Sequence, residues 1–445
     1  MNTAQIQKNG KTNAIPERLA VLPARGNTLV PPSKGLDSPT QFVRKGKRMN
    51  WDELYAKRTR RMKRSAIREL LKVTRRPEVI SFAGGLPAAE LFPIPQVKAA
   101  VDAVLQRLGG KCLQYGETEG VPELREWVAH HFSRNGVQIT AENVLITTGA
   151  QQALDLVGRV FLDENDRAVV ENPTYLALLS AWRPYVGEFL AVPSDEHGMQ
   201  MDAMPTLLEK RPKLIYITPN FQNPQGTTLT RERREKLVAL LQEHGVALLE
   251  DNPYGELRYD GDALPHLLEI EAAEGKSRGL PNHVMYSGTF SKVLMPGLRV
   301  GWVIAAPEVI DKLGMAKQAA DLHTSTICQY AALELLRRGF LDEFVPVLCK
   351  SYGQRRDLML SALEKHFGGK AKWNRPEGGM FLLVSLPANY DTMKILPRAL
   401  EQNVAYVPGE EFHINGEGKN TMRLNFSNAR PEQIEEGIRR LASVM

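Results

Sequence analysis

The sequence predicts an α/β protein in which a large, mostly parallel sheet is covered by helices and followed by a smaller α+β region. Three observations predict it. Short apolar runs at 168–171, 214–218, 246–250, 284–286 and 299–304 alternate with helical patterns such as 231–242, whose Leu237, Leu240 and Leu241 share one side. Polar residues collect just past the ends of those runs (Tyr175, Asn223, Asp251 and Lys292), where ligands gather in parallel sheets. Beyond residue 330 the alternation stops: long helical patterns at 327–338 and 341–367 lead to strand-like segments at 380–386, 405–407 and 421–426, with a last helix after Pro431.

Taken in order, residues 1–48 are rich in Pro, Gly, Asn and basic residues and show no lasting periodicity, so they are expected to be a disordered basic tail. They hold nine basic residues and two acids, which more than accounts for the net charge of +6 on the whole chain. The body is left near neutral and carries no general electrostatic signature for nucleic acid. Met49 offers an alternative start, since Trp51 opens a helical pattern, an amphipathic entry helix or pair, that runs to Val73. Val79-Ile80-Ser81-Phe82 is a short extended run ending in Gly84-Gly85-Leu86-Pro87, where paired glycines let the backbone come close to a neighbour. Pro93-Ile94-Pro95 opens a helix that ends at Gly109-Gly110, and Pro122 opens another. The adjacent His130 and His131 of that second helix face different directions and are not expected to be metal ligands. Residues 143–152 read as buried strand, glycine turn and helix start, whose free N–H groups make an anion site. The dinucleotide fingerprint Gly-x-Gly-x-x-Gly is absent there. Three widely spaced cysteines (Cys112, Cys328 and Cys349) form neither a disulfide framework nor a zinc pattern. With no apolar run of membrane-spanning length and no secretory segment, the expectation is a cytoplasmic protein that needs no metal. The domain expectation is a tail (1–48), a large domain (97–330), and a small domain made of 49–96 with 331–445.

The most specific stretch is Ser287-Gly288-Thr289-Phe290-Ser291-Lys292, followed by Pro296-Gly297-Leu298-Arg299-Val300-Gly301. A lysine just past a buried strand is partly desolvated, which lowers its pKa and makes it nucleophilic. Thr289, Ser291 and Arg299 supply the hydroxyls and guanidinium fork that hold a phosphate dianion. A nucleophilic lysine beside a phosphate cradle suits pyridoxal 5′-phosphate, which needs an amine for its aldehyde and an anchor for its phosphate. The ring nitrogen of that cofactor needs a carboxylate, and Glu250 and Asp251 are both candidates; strand alternation allows only one to reach it. Asn223 and Tyr254 are candidate donors to the ring's phenolate oxygen, and Tyr175 a candidate stacking ring. Each of these also has an ordinary role as turn former or half-buried ring. What favours chemistry is their convergence on one end of the sheet.

With these residues in place, the chain resembles fold-type I pyridoxal-phosphate enzymes of the class I/II aminotransferase family, in the branch of 2-aminoadipate, kynurenine and aromatic aminotransferases. The resemblance runs from about residue 60 to the C-terminus. It implies a seven-stranded-type sheet, a homodimer with shared active sites, and Lys292 as the lysine that carries the cofactor. It also implies Asp251 as the partner of the ring nitrogen, Asn223 and Tyr254 at the phenolate, and Tyr175 on the ring. Ala150, Gln151, Thr289, Ser291 and Arg299 would line the phosphate, and Tyr115 would reach the phosphate of the neighbouring subunit. Arg423 would grip the substrate α-carboxylate, and the segment holding Gly85 would close over substrate. Ala150 departs from the hydroxyl residue frequent there in relatives, which leaves it only a backbone N–H to offer. The implied reaction is ping-pong transamination between an L-amino acid (aromatic, 2-aminoadipate-like or branched-chain) and a 2-oxo acid such as 2-oxoglutarate. The same residues also serve lyases, decarboxylases and synthases, and a further alternative is a cofactor-binding transcription regulator.

Overall fold

The computed structural model describes residues 49–63, 76–273 and 282–445. The expected tail, and residues 64–73 of the helix or helix pair expected over 51–73, lie outside the described residues; within them, Trp51–Leu54 is a short helix and Lys57–Arg61 a 3-10 turn.

A two-residue strand, β1 (Ile80–Ser81), precedes the main sheet. The sheet strands are β2 (Val144–Thr147), β3 (Arg167–Asn172), β4 (Glu188–Asp195), β5 (Gly198–Met199), β6 (Leu214–Ile217), β7 (Ala247–Asp251), β8 (Val284–Thr289) and β9 (Gly301–Ile304). Their spatial order is β2-β9-β8-β7-β6-β3-β4-β5. The run β8-β7-β6-β3-β4 is parallel throughout, while β9 and β5 join antiparallel and β2 pairs antiparallel with β9. The sheet is therefore mostly parallel, with seven strands plus the two-residue β5.

Alternation explains why these runs are apolar at every position. Ile215 and Ile217 of β6 enter one core and Leu214 and Tyr216 the other, and β7 divides Leu248 from Leu249 in the same way. A sheet with helices on both faces buries both sides of each strand. One covering helix, Arg231–His244, starts at Thr230, whose side chain accepts from the Arg233 N–H, and stops at Gly245 in the left-handed region (φ 63°).

Beyond the main sheet come the helices Thr326–Arg337 and Phe340–Phe367. A second sheet then forms from β10 (Lys372–Trp373), β11 (Phe381–Ser385), β13 (Val407–Pro408) and β14 (Thr421–Asn425), with β12 (Val404–Ala405) pairing instead with β1. The β11–β14 pairing sets Arg423 opposite Leu383. His131 stacks on Trp127, with ring centroids 4.9 Å apart. Among the described residues no helix is long and apolar enough to cross a membrane.

Candidate active site

The carboxyl ends of β3, β6, β7 and β8 open on a cavity of about 270 Å³. Ten of the residues singled out from the sequence line it: Ala150, Gln151, Tyr175, Asn223, Asp251, Tyr254, Thr289, Ser291, Lys292 and Arg299. Thr218, Pro253 and Pro296 complete the wall.

Asp251 is the last residue of β7 and is buried. Its Oδ2 accepts from the Tyr216 hydroxyl at 2.8 Å, and its Oδ1 is buried without a hydrogen-bond partner among the described residues. Burial pushes the carboxyl up to about 6, against the Tyr216 donation. Alternation sends Glu250 the other way, where its Oε2 accepts from the Leu268 N–H at 3.4 Å. Lys292 stands in the turn after β8 and donates from Nζ to the Gly85 carbonyl at 2.9 Å. Burial, then the Arg299 and Arg423 charges, bring its ammonium down to about 8.

At one end of the cavity the Thr289 and Ser291 hydroxyls lie 2.9 Å apart, and Arg299 donates to Ser291 Oγ at 3.4 Å and to the Thr148 carbonyl at 3.1 Å. Here the Ala150–Phe161 helix begins, with first-turn N–H groups that no intrahelical carbonyl can reach. Gly149 precedes it at φ 76°, and a Cβ there would sit 2.5 Å from Arg299 Nη2, so only glycine lets the guanidinium lie against this turn.

At the other end Arg423 is buried between the rings of Phe381 and Phe412, 4.3 and 5.1 Å from their centroids. It does not itself line the cavity. Its Nη1 donates to Asn223 Oδ1 at 2.8 Å and its Nη2 to the Ala83 carbonyl at 2.6 Å, while Nε has no partner among the described residues. No carboxylate forms an ion pair with it among the described residues, and burial brings it down to about 10. Asn223 also donates to the Tyr254 hydroxyl at 3.4 Å. Burial and then Asp251 raise Tyr175 to about 12, and burial raises Tyr254 further, so both phenols stay protonated. Gly85 meets the site through its carbonyl and packs its α-carbon near the Phe381 ring. Tyr115 lies away from this cavity: it is 79 % exposed, with its ring edge on His323.

Tyr216 was not singled out from the sequence. Its signal was parity, because Tyr216 and Thr218 share a strand face and their hydroxyls are 3.1 Å apart beside Asp251.

The cavity has the parts that pyridoxal 5′-phosphate requires. An unpaired carboxylate oxygen is available for a ring N–H, and a depressed lysine for an aldehyde. A glycine-opened helix start with two hydroxyls and an arginine is suited to a phosphate. Fold and site together define a pyridoxal-phosphate-dependent enzyme. The chain belongs to the family "Aminotransferase class I and II", whose pattern matches residues 78–441, and it is an aminotransferase. It is 42% identical over 407 residues to aromatic-amino-acid aminotransferase 1 of Thermococcus litoralis, covering 89% of this chain and 95% of that one. It is 41% identical to the α-aminoadipate aminotransferase of Thermus thermophilus, solved with N-(5′-phosphopyridoxyl)-L-leucine (TM-score 0.82; 89% and 98% covered). The kynurenine aminotransferase of Pyrococcus horikoshii, solved with PMP, is 40% identical (TM-score 0.83; 89% and 97% covered).

Proposed function

We propose that this enzyme moves the amino group of an L-amino acid with an aromatic, 2-aminoadipate-like or branched-chain side chain to a 2-oxo acid, with 2-oxoglutarate as acceptor, by a ping-pong mechanism. The observation that carries the reading is Arg423. It is a buried guanidinium with an unpartnered Nε and no protein carboxylate in an ion pair with it among the described residues, hydrogen-bonded to Asn223 of the cavity wall. A buried cation of this kind is completed by an anion, and a bidentate α-carboxylate fits the fork.

The cofactor, when bound, supplies an electron sink for the bonds at the substrate Cα. Lys292 would be its point of attachment, and the Lys292 Nζ would hold or move the proton at the substrate Cα. Asp251 keeps the ring nitrogen protonated, and Tyr216 holds the carboxylate in place. Asn223 and Tyr254 donate to the phenolate oxygen, Tyr175 covers the ring, and Gly85 belongs to the segment that closes over substrate. Ala150 and Gln151 with their N–H groups, together with Thr289, Ser291 and Arg299, hold the phosphate. Tyr115 serves the neighbouring subunit of a homodimer; its exposure outside its own cavity supports that reading. The division into a large domain (97–330) and a small one (49–96 with 331–445) is supported by the pairing of Ile80 with Val404. The free Cys112, Cys328 and Cys349 support a reducing, cytoplasmic location.

The test is a panel of amino donors, followed through the absorbance change of the bound cofactor, on the parent enzyme and on Arg423 variants. Arg423→Ala is expected to leave the cofactor spectrum intact and to lower kcat/KM about 100-fold for every amino acid. Arg423→Lys recovers only part, because a point charge cannot reproduce the fork. Amines without an α-carboxylate are unaffected. Loss of cofactor with normal donor binding would sink the reading.

A further inference from the structure

The turn from β2 into the Ala150–Phe161 helix is braced from outside the cavity. Lys317, on the Pro307–Asp321 helix, has a fully buried side chain and donates to Asp321 Oδ1 at 2.7 Å and to Gln152 Oε1 at 2.9 Å. The same Gln152 oxygen accepts from the Thr148 N–H at 2.8 Å. Asp321 Oδ2 accepts from the Thr148 hydroxyl at 2.8 Å, so the Thr324 hydroxyl, 3.2 Å from Thr148 Oγ1, is the donor in that pair. Thr148 is thus held at its N–H and its side chain, while its carbonyl receives Arg299.

An ion pair with one fully buried member is a poor source of stability, because desolvation offsets the Coulomb gain. Burial depresses the Lys317 ammonium, and Asp321 works against that. What the pair does supply is geometry, since every contact converges on the residues flanking Gly149. We propose that Lys317 and Asp321 are positioning residues for the cofactor's phosphate: through Gln152 and Thr148 they fix the helix start and the seat of Arg299. The inference rests on the reading that this turn and Arg299 hold the phosphate. None of the bracing contacts reaches Lys292 or Asp251, so the brace acts on the phosphate end alone.

The experiment compares pyridoxal 5′-phosphate with pyridoxal, which has the same ring and aldehyde but no phosphate. Both are titrated into full-chain enzyme stripped of cofactor, in the parent and in Lys317→Met, Asp321→Asn and Arg299→Gln. The first two variants are expected to raise the Kd for the phosphorylated cofactor about 10-fold, leaving the Kd for pyridoxal and the absorbance maximum unchanged. Equal weakening of both ligands, or of neither, in these variants overturns the proposal while Arg299→Gln still separates the two ligands. If Arg299→Gln fails to separate them, the phosphate reading itself falls and takes the proposal with it. Should Lys317→Met not fold, Thr148→Val deletes the hydroxyl contacts to Asp321 and Thr324 and keeps the ion pair, and the same two outcomes decide.

Discussion

Lys292 and Asp251 share one cavity, and burial moves them in opposite directions, each toward its neutral form. A lysine near 8 is a usable nucleophile at neutral pH, and a carboxyl near 6 becomes a firm anion once a ring N–H faces its free Oδ1. Borohydride reduction of the yellow enzyme is therefore expected to fix the label on the peptide containing Lys292; label on another lysine would exclude the assignment. Lys292→Ala keeps some cofactor through the phosphate contacts and loses turnover by at least about 100-fold. Asp251→Asn impairs catalysis severely, whereas Glu250→Gln is mild because Glu250 lies on the far face of β7 against Leu268. The opposite ranking, read as kcat of the two variants, would place the strand one residue out of register. Residues with unusual chemistry in unusual company, such as Lys292 among hydroxyls, were legible in the sequence. Tyr216 was not, because a tyrosine inside the run Leu214–Ile217 has the composition of core, and only the packed neighbour strand brings Asp251 to its hydroxyl.

At the scale of the element, the end of β3 carries a second buried carboxyl. Glu171 Oε2 accepts from the Thr218 N–H at 3.0 Å, and burial pushes its pKa up to about 8. A carboxyl raised in the folded state favours folding in full below its unfolded pKa, and that contribution is lost as pH climbs through the folded value. The window runs from about pH 4.5 to about pH 8, the ordinary and raised values of this group. Glu171→Gln does not titrate, so the Tm of the variant relative to the parent is expected to rise across that window and level off above it. A difference in Tm that stays flat from pH 5 to 9 would show that Glu171 is ionised in the fold or relieved by another donor. Strands with apolar residues at every position were legible because burial on both faces leaves no polar gap. The strand β4 was missed: Glu188–Asp195 mixes buried and exposed positions and contains Pro193, features of a strand near a sheet edge, where only the two-residue β5 lies beyond it. The small sheet was legible in outline, but β12 and β13 were read as one run, 405–407. The chain changes partner there, Ala405 pairing with Ser81 and Val407 with Arg423.

For the molecule as a whole, the question is where Tyr115 acts. The ring stands exposed next to His323, outside the cavity of its own chain, and the proposed homodimer gives it a phosphate in the neighbouring subunit. A side chain that works across an interface separates from one that works at home when two variants are combined. Lys292→Ala alone is expected to lose turnover by at least about 100-fold, and Tyr115→Ala alone to weaken cofactor binding by roughly 10-fold, the loss of one hydrogen bond to a charged group. Coexpression with two different tags yields hybrid dimers carrying one variant in each chain. If Tyr115 acts across the interface, the chain with intact Lys292 receives the partner's Tyr115 intact. Each hybrid then binds cofactor at that site with parent affinity and turns over at about half the parent rate. The other site of the hybrid lacks both groups and stays silent. If Tyr115 acts within its own chain, the only site with Lys292 also lacks the tyrosine, so the hybrid binds cofactor as weakly as the Tyr115→Ala homodimer. Parent-like affinity in the Tyr115→Ala homodimer would remove the residue from the site altogether. Titrating cofactor into the purified hybrid separates the first two, because they assign different affinities to the one site that retains Lys292, and the same titration of the Tyr115→Ala homodimer separates the third.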